Sequence, residues 1–266
     1  MAFQVQLAHP FKPDKVTYPC IVQAKFDGFR AIYVDGQFLS RYGKPLTGPV
    51  SAPETLSQYT GLVFDGELVM GGGVTGTFQD ALSATRVGHP ELEYHIFDCI
   101  ARREWDTGRF TDSYDIRVRR LGSLSLASKY ISDVPWSYIS REDKLHAAHR
   151  AQCKAGYEGV MVKNPNAPYH LGKSYAWMKL KPYKEMDVTI FGTYTGKGKY
   201  KGMLGGYWCR TSVGKEFKMG GGLTDEHRAG TPLPDGSVIE ITYQELTNEG
   251  KPRFARLYRH RPDKEN

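Results

Sequence analysis

Asp35-Gly36 carries the strongest local instruction in this 266-residue chain. It separates two short runs, RAIYV (30–34) and QFLS (37–40), both rich in apolar residues. A two-residue Asp-Gly connection adopts the turn whose twist matches its flanking strands, so it specifies a β-hairpin and its register. Counting outward, Val34 faces Gln37, Ala31 faces Ser40, and Arg30 faces Arg41. CIVQAKF (20–26) reads as a strand leading in, and GLVFDGELVM (61–70) as another.

Further along, TFQDALSA (77–84) reads as a short helix and ELEYHIFDCI (91–100) as a strand of aromatic and β-branched residues. Residues 112–127 carry a helical pattern with Ile116, Leu121 and Leu124 as core contacts. Ser140 followed by Asp143 makes a capping-box pattern for a helix reaching about Ala155, with Gly156 placed to end it. After WMKLKPYKEMD the texture changes. From Val188 onward, short alternating segments divided by Gly-rich turns suggest a small β-barrel, among them VTIFGTYTGKGKYKG, SVIEITYQEL and PRFARLYRH. The boundary falls near Pro182–Glu185, and no internal repeat is evident.

The chain holds 36 Lys and Arg against 29 Asp and Glu, a formal charge of +7. That excess fits a polyanionic partner, nucleic acid or an anionic membrane. No apolar run approaches the roughly 20 residues of a membrane span, and MAFQVQLAHPFKPDK lacks the apolar stretch of a secretory signal. The expectation is a cytoplasmic protein that is not secreted. Cys20, Cys99, Cys153 and Cys209 are scattered, with no Cys-x-x-Cys pair, and read as reduced thiols rather than zinc ligands.

Several residues carry chemical potential. Lys25, in KFDGFR, becomes a nucleophile if burial or neighbouring cations lower its pKa. Arg30 and Arg41, opposite each other, would destabilise the hairpin unless an anion lay between them. Asp65 and Glu67 lie two apart on a strand, share a face, and repel unless a cation intervenes. Phe97 and Asp98 end an apolar strand. Glu158 and Lys163 bracket another, and Lys179 and Lys181 share one strand face. Arg259, Arg261, Asp263 and Lys264 close the chain in a basic tail. Each pattern alone also fits a solvated hairpin, a protected edge strand or ordinary core.

Their order is more specific than any one of them. Lys25–Arg30 (KFDGFR), Ser40–Arg41, Asp65–Glu67 (DGE), Tyr94–Asp98, Glu158–Lys163 (EGVMVK), Lys179–Lys181 (KLK) and Arg261–Lys264 follow one another along the chain. This succession resembles the covalent nucleotidyltransferases: ATP-dependent DNA ligases, RNA ligases and mRNA capping enzymes. The similarity is closest to the short, phage-type DNA ligases. The resemblance implies an α+β fold. A nucleotidyltransferase (ATP-grasp-like) domain of antiparallel sheets and helices over residues 1–183 would precede an OB-fold barrel over residues 184–266, with 182–185 as hinge.

It further implies nick sealing in duplex DNA by a monomer, with ATP and a divalent metal (Mg2+ or Mn2+) as cofactors and no membrane partner. Lys25 would attack the α-phosphate of ATP and carry AMP, then pass it to a 5′-phosphate. Gln23, Arg30, Glu67, Phe97, Lys163, Lys179 and Lys181 would bind the nucleotide, Phe97 by stacking on adenine. Glu67 and Glu158 would hold metal. Arg41 would grip the 5′-phosphate of the nick, and Lys197, Lys199 and Lys201 would touch DNA. Arg261, Asp263 and Lys264 would orient the leaving pyrophosphate. An RNA ligase, a guanylyltransferase and a non-catalytic nucleic-acid-binding scaffold are the competing readings.

Overall fold

The computed structural model describes residues 3–46, 54–126, 128–247 and 249–265. The chain divides into two compact units, Met1–Lys181 and Pro182–Asn266. In the first, β2 (Cys20–Lys25) leads into the hairpin of β3 (Phe29–Val34) and β4 (Gln37–Ser40). Asp35 and Gly36 both have positive φ, 52° and 75°, as the tight turn demands. Val34 pairs with Gln37 and Ala31 with Ser40. The ladder stops there. Gly43 N donates to Ser40 O at 2.8 Å, so Arg41 lies in a turn and not opposite Arg30. The expected clash of two arginines is absent for a second reason: Arg30 is neutralised from within the protein, by Asp65.

Two five-stranded sheets make up this unit. The first runs β1 (Gln6–Pro10), β10 (Gly172–Leu180), β9 (Gly159–Lys163), β2, β8 (Trp136–Ile139). The second runs β4, β3, β5 (Leu62–Val69), β6 (Glu93–Ala101), β7 (Ile131–Asp133). Pairing is antiparallel except where β1 joins β10 and β7 joins β6. Ile21 and Trp177 from the first sheet meet Ile32, Val63 and Ile100 from the second in a shared core. Helix α5 (Glu142–Lys154) covers the other face of the first sheet through Leu145. Helices α1 (Glu54–Ser57) and α2 (Phe78–Val87) cover that of the second through Leu56 and Ala84. Thr77 and Asp80 form the capping box that starts α2.

Two helix expectations need correction. In α4 (Tyr114–Gly122) the buried stripe is Tyr114, Arg117, Val118 and Leu121, an i, i+3, i+4, i+7 spacing. Ile116 lies off that stripe and is 49% exposed. Reading only apolar residues as core misplaced the stripe, because one core position holds an arginine. Arg117 and Asp98 are each fully buried and paired through two bonds, 2.8 and 3.0 Å. The capping box of Ser140 does not form either. Arg141 is the N-cap of α5 and makes no side-chain cap bond. Ahead of both, α3 (Arg102–Thr107) follows β6 directly.

The second unit is a five-stranded antiparallel sheet, β13 (Glu216–Met219), β12 (Leu204–Thr211), β11 (Lys184–Thr195), β14 (Val238–Tyr243), β17 (Arg256–His260). It curls around a core that includes Val188, Ile190, Cys209, Phe217, Ile239 and Ile241. Among the described residues its edges meet through one bridge, Gly221 to Arg256, and not a continuous ladder. Helix α6 (Asp225–Ala229) follows β13, and β15 (Glu245–Leu246) pairs with β16 (Pro252–Arg253). PRFARLYRH thus splits into two strands, at Phe254, whose φ is 57°. Among the described residues no helix is long and apolar enough to cross a membrane.

The buried Asp98–Arg117 pair yields a stability prediction. Arg117→Met leaves a carboxylate buried without a partner and should cost about 3–5 kcal/mol. Adding Asp98→Leu should restore most of that. Urea denaturation followed by tryptophan fluorescence measures both, and a single substitution costing under about 1 kcal/mol would contradict the buried pair.

Candidate active site

A cleft of about 390 Å³ opens in the first unit, lined from both sheets. Lys25, at the end of β2, projects into it. Its ammonium donates to the Glu158 carboxylate and, at 3.2 Å, to the Phe26 carbonyl. Glu158 N donates to Lys25 O at 3.0 Å, so the two residues are locked through backbone and side chain alike. The turn after Lys25 needs Gly28, since a Cβ there would lie 2.4 Å from the Leu68 carbonyl oxygen. Gly159 is equally constrained: its φ is 137°, and a Cβ would lie 2.2 Å from Leu180 O. Glu158 also binds Lys181. Burial pushes the Glu158 carboxyl up, but Lys25 and Lys181 outweigh burial and hold it below its ordinary value.

The closed end of the cleft is aromatic. Lys163, 1% exposed, lies 4.1–4.6 Å from the ring centres of Trp177, Tyr114 and Phe97. It donates to Gln23 Oε1 at 2.7 Å and Tyr114 Oη at 2.9 Å. Burial pushes this amine down to about 7, against the pull of Asp98 and Asp65. Gln23 is itself buried, and its Nε2 donates to Val134 O.

Arg30 crosses beneath these rings, 5.4 Å from Phe97 and 5.6 Å from Trp177. Its guanidinium forks onto Asp65 at 2.8 and 2.5 Å and reaches Gln6 O at 2.6 Å. Tyr169 Oη donates to the same carboxylate at 2.8 Å. Glu67, two residues on, is different: among the described residues no hydrogen-bond or ion-pair partner contacts its carboxylate. Burial raises it to about 7; Lys25 and Arg30 pull against this, while Asp65 and Glu158 add to it.

The open side carries cations. Lys179, Lys173 and Arg41 line the cleft, and Lys179 is shifted down by burial and by Lys181 and Lys25. Arg41 is exposed, and its guanidinium lies 4.7 Å from the Tyr42 ring. Of the residues singled out from sequence, Gln23, Lys25, Arg30, Arg41, Glu67, Phe97, Lys163 and Lys179 therefore line one cleft; Glu158 adjoins it through Lys25, and Lys181 through Glu158.

The remaining candidates lie in the second unit. Lys199 pairs loosely with Asp225 at 3.9 Å. Arg261 binds Asp263 at 2.8 Å, Glu240 at 3.1 Å and Asp187 at 3.4 Å, and Lys264 also binds Asp187.

Sequence reading passed over Trp177, Lys173 and Met161, which also line the cleft. Trp177 and Lys173 lie two and six residues before Lys179, so period-two alternation along β10 would have found them. Arg117 and Tyr169, which support the floor, leave no such signal.

In sum, a lysine held by a carboxylate stands between an aromatic slot and a cationic rim. Such a cleft suits a nucleotide, base inward and phosphates outward, with the amine at the join. The ATP dependent DNA ligase domain model matches residues 6–181, and the DNA ligase OB-like domain model residues 195–261. A DNA ligase of Haemophilus influenzae is 29% identical over 90% of this chain and 85% of its own length. One of Halobacterium salinarum is also 29% identical, but the chain spans about half of it (49%). A solved Lig E DNA ligase superposes with a TM-score of 0.64 at 25% identity, over 98% of this chain and all of that one. The bacteriophage T7 ATP-dependent ligase, at 19% identity and TM-score 0.59, covers 97% of this chain and 99% of that one and shares the fold. The chain belongs to the ATP-dependent DNA ligase family, as an enzyme that joins DNA strands using ATP, with a nucleotidyltransferase domain followed by an OB-fold domain.

Proposed function

We propose that this ligase seals nicks in duplex DNA, as a monomer, through an AMP carried on Lys25. The observation that carries this reading is the Lys25 ammonium held on Glu158 inside a cleft with an aromatic end and a cationic side. In the first step the amine gives up its proton, for which Glu158 is the carboxylate in contact. Its lone pair attacks the α-phosphorus of ATP. A P–N bond forms, the bond to the β-phosphate oxygen breaks, and pyrophosphate leaves. In the second, a 5′-phosphate oxygen at the nick displaces Lys25, making a P–O bond and returning the amine. In the third, the 3′-hydroxyl loses its proton, attacks the same 5′-phosphate, and AMP departs. Positioning and charge neutralisation dominate such transfers.

Gln23 and Lys163, buried together beside Phe97, suit the base edge, with Phe97 stacking on it. Lys163 serves the base and not the phosphates, since its amine is enclosed by rings. Arg30 is engaged by Asp65 and acts as the floor beneath the sugar. Lys179 and Lys181 take the phosphates, and Arg41, exposed at the rim, takes the 5′-phosphate of the nick. Glu67 and Glu158 offer the hard carboxylate oxygens that Mg2+ or Mn2+ prefers, and the unpartnered state of Glu67 fits that role. When bound, such an ion neutralises phosphate oxygens and steadies the leaving group. Arg261, Asp263 and Lys264 are assigned to orienting pyrophosphate, and Lys197, Lys199 and Lys201 to the DNA backbone.

Incubation with α-labelled ATP, then denaturing electrophoresis, tests the first step. Lys25→Ala should take up no label yet still bind nicked duplex. Arg41→Ala should label normally but seal a 5′-phosphorylated nick about 100-fold more slowly. Loss of labelling in the Arg41 variant would assign that arginine to the wrong step.

Glu67 yields a test in pH. Its folded value, about 7, exceeds its ordinary 4.5. The folded protein therefore binds the extra proton between those values, and stability falls as pH rises through that window. Above it the penalty is complete. Glu67→Gln removes it, and should stabilise the free protein at pH 7.5 by about 1–3 kcal/mol while adding nothing at pH 4.5. Adenylylation should drop at the same time. Melting curves at both pH values check the first claim, and equal stability at pH 7.5 would deny that the Glu67 carboxyl is raised.

A further inference from the structure

In the second unit the sheet has two kinds of face. One carries the core. On the other, along β11, β12 and β13, three aromatic rings alternate with cations. Phe191 is the extra residue of a β-bulge between Ile190 and Gly192, a device that re-aims a side chain. Its ring centre lies 6.2 Å from that of Trp208. Trp208 stands opposite Gly192, and Tyr194 opposite Gly206. Trp208 and Tyr194 thus each face a glycine across the β11–β12 ladder, and Trp208 faces Lys218 on its other side. Lys218, exposed, spans the two rings at 4.5 and 5.4 Å, and Arg210 lies 4.8 Å from Phe191.

Tyr194 and Lys218 also line a second cleft, of about 400 Å³, with Lys197, Tyr200 and Arg228. Arg228 is 9% exposed. Its guanidinium is held by three carbonyls, Leu204 and Gly205 at 2.9 Å and Gly220 at 2.7 Å, and its Nε is buried without a partner. Among the described residues no carboxylate pairs with Arg228, Lys197 or Lys218. A nearly buried cation with no counter-charge is costly, and an anion entering the cleft relieves that cost.

We infer that this outer face of β11–β13, with the adjoining cleft, binds an unpaired DNA strand, bases on Phe191, Trp208 and Tyr194 and a backbone phosphate in the Arg228 cleft. Aromatic platforms flanked by cations suit single strands, whose bases expose their faces. An intact duplex offers phosphates but no free base face. The surface would hold a frayed or displaced strand. The plainer account is that the rings only cover cross-strand glycines and stabilise the sheet. That account predicts a loss of stability and no preference between DNA forms.

The test uses the full chain and two labelled probes without ATP, an oligothymidylate lacking a 5′-phosphate and an unnicked duplex of equal length. Neither probe can be sealed, so the outcome is independent of the nick-sealing reading. Fluorescence anisotropy should show oligothymidylate binding that Trp208→Ala weakens about 10-fold. Lys218→Ala should weaken it and flatten the log–log salt dependence by about 0.7. Duplex affinity should change by less than about twofold in both variants, since no base face is exposed there. If Trp208→Ala proves destabilised in a thermal melt, Lys218→Ala, whose side chain is exposed, decides. Unchanged oligothymidylate binding in that variant overturns the inference, as does an equal loss for both probes.

Discussion

The cleft depends on the ion pair of Arg30 with Asp65. Arg30 comes from the second sheet, yet one arm of its guanidinium reaches the Gln6 carbonyl in the first. Tyr169 closes the same carboxylate from the side. Asp65 is fully buried, so its charge would be intolerable without this partner. The bidentate fork fixes direction as well as charge. It ties the second sheet to the first, and its guanidinium lies beneath Phe97 and Trp177. A lysine at position 30 could balance the charge but could not make both contacts in one plane.

Six cations of the first unit fall into three groups by partner. Arg30 and Arg117 each meet a fully buried aspartate through two bonds and are structural. Lys25 and Lys181 share Glu158, a carboxylate with one oxygen for each. Lys179 and Lys173 have no carboxylate within ion-pair distance among the described residues, and both line the cleft. Positive charge is thus paired inward where the fold needs rigidity and left uncompensated along the cleft. The overall charge of the chain says only that some such surface exists; the pairing pattern locates it.

The strands were legible because their signals are local. Asp35-Gly36 fixed a hairpin and its register, and period two placed Lys179 and Lys181 opposite Met178 and Leu180, which are buried in the core under α5. The cleft residues could be read as an ordered set of motifs, which is how Lys25, Glu67 and Glu158 could be grouped without coordinates. What could not be read was long-range pairing. Nothing local says that Arg30 ignores Arg41 and turns to Asp65, 35 residues on. Nothing local marks Arg117 as core and Ile116 as surface, since burial of an arginine depends on where Asp98 lies in the fold. Capping at Ser140 failed on a shift of one residue, a scale at which the first turn of a helix is set by tertiary contacts.

Glu67 and Lys163 share a further property. Burial drives each toward its neutral form, raising the acid to about 7 and lowering the amine to about 7. The penalty on Glu67 grows as pH rises from 4.5 and is complete above about 7. That on Lys163 is complete below about 7 and is relieved only as pH rises toward 10.5. Both therefore weigh on the free protein most heavily near neutrality. A fold selected for stability alone would replace both with uncharged residues. Their presence makes sense if the ligand completes the site: an adenine edge meeting Lys163 and Gln23, and a cation or ribose hydroxyl meeting Glu67. The free cleft is held in a form that is suboptimal alone, as the proposed nucleotide site would require.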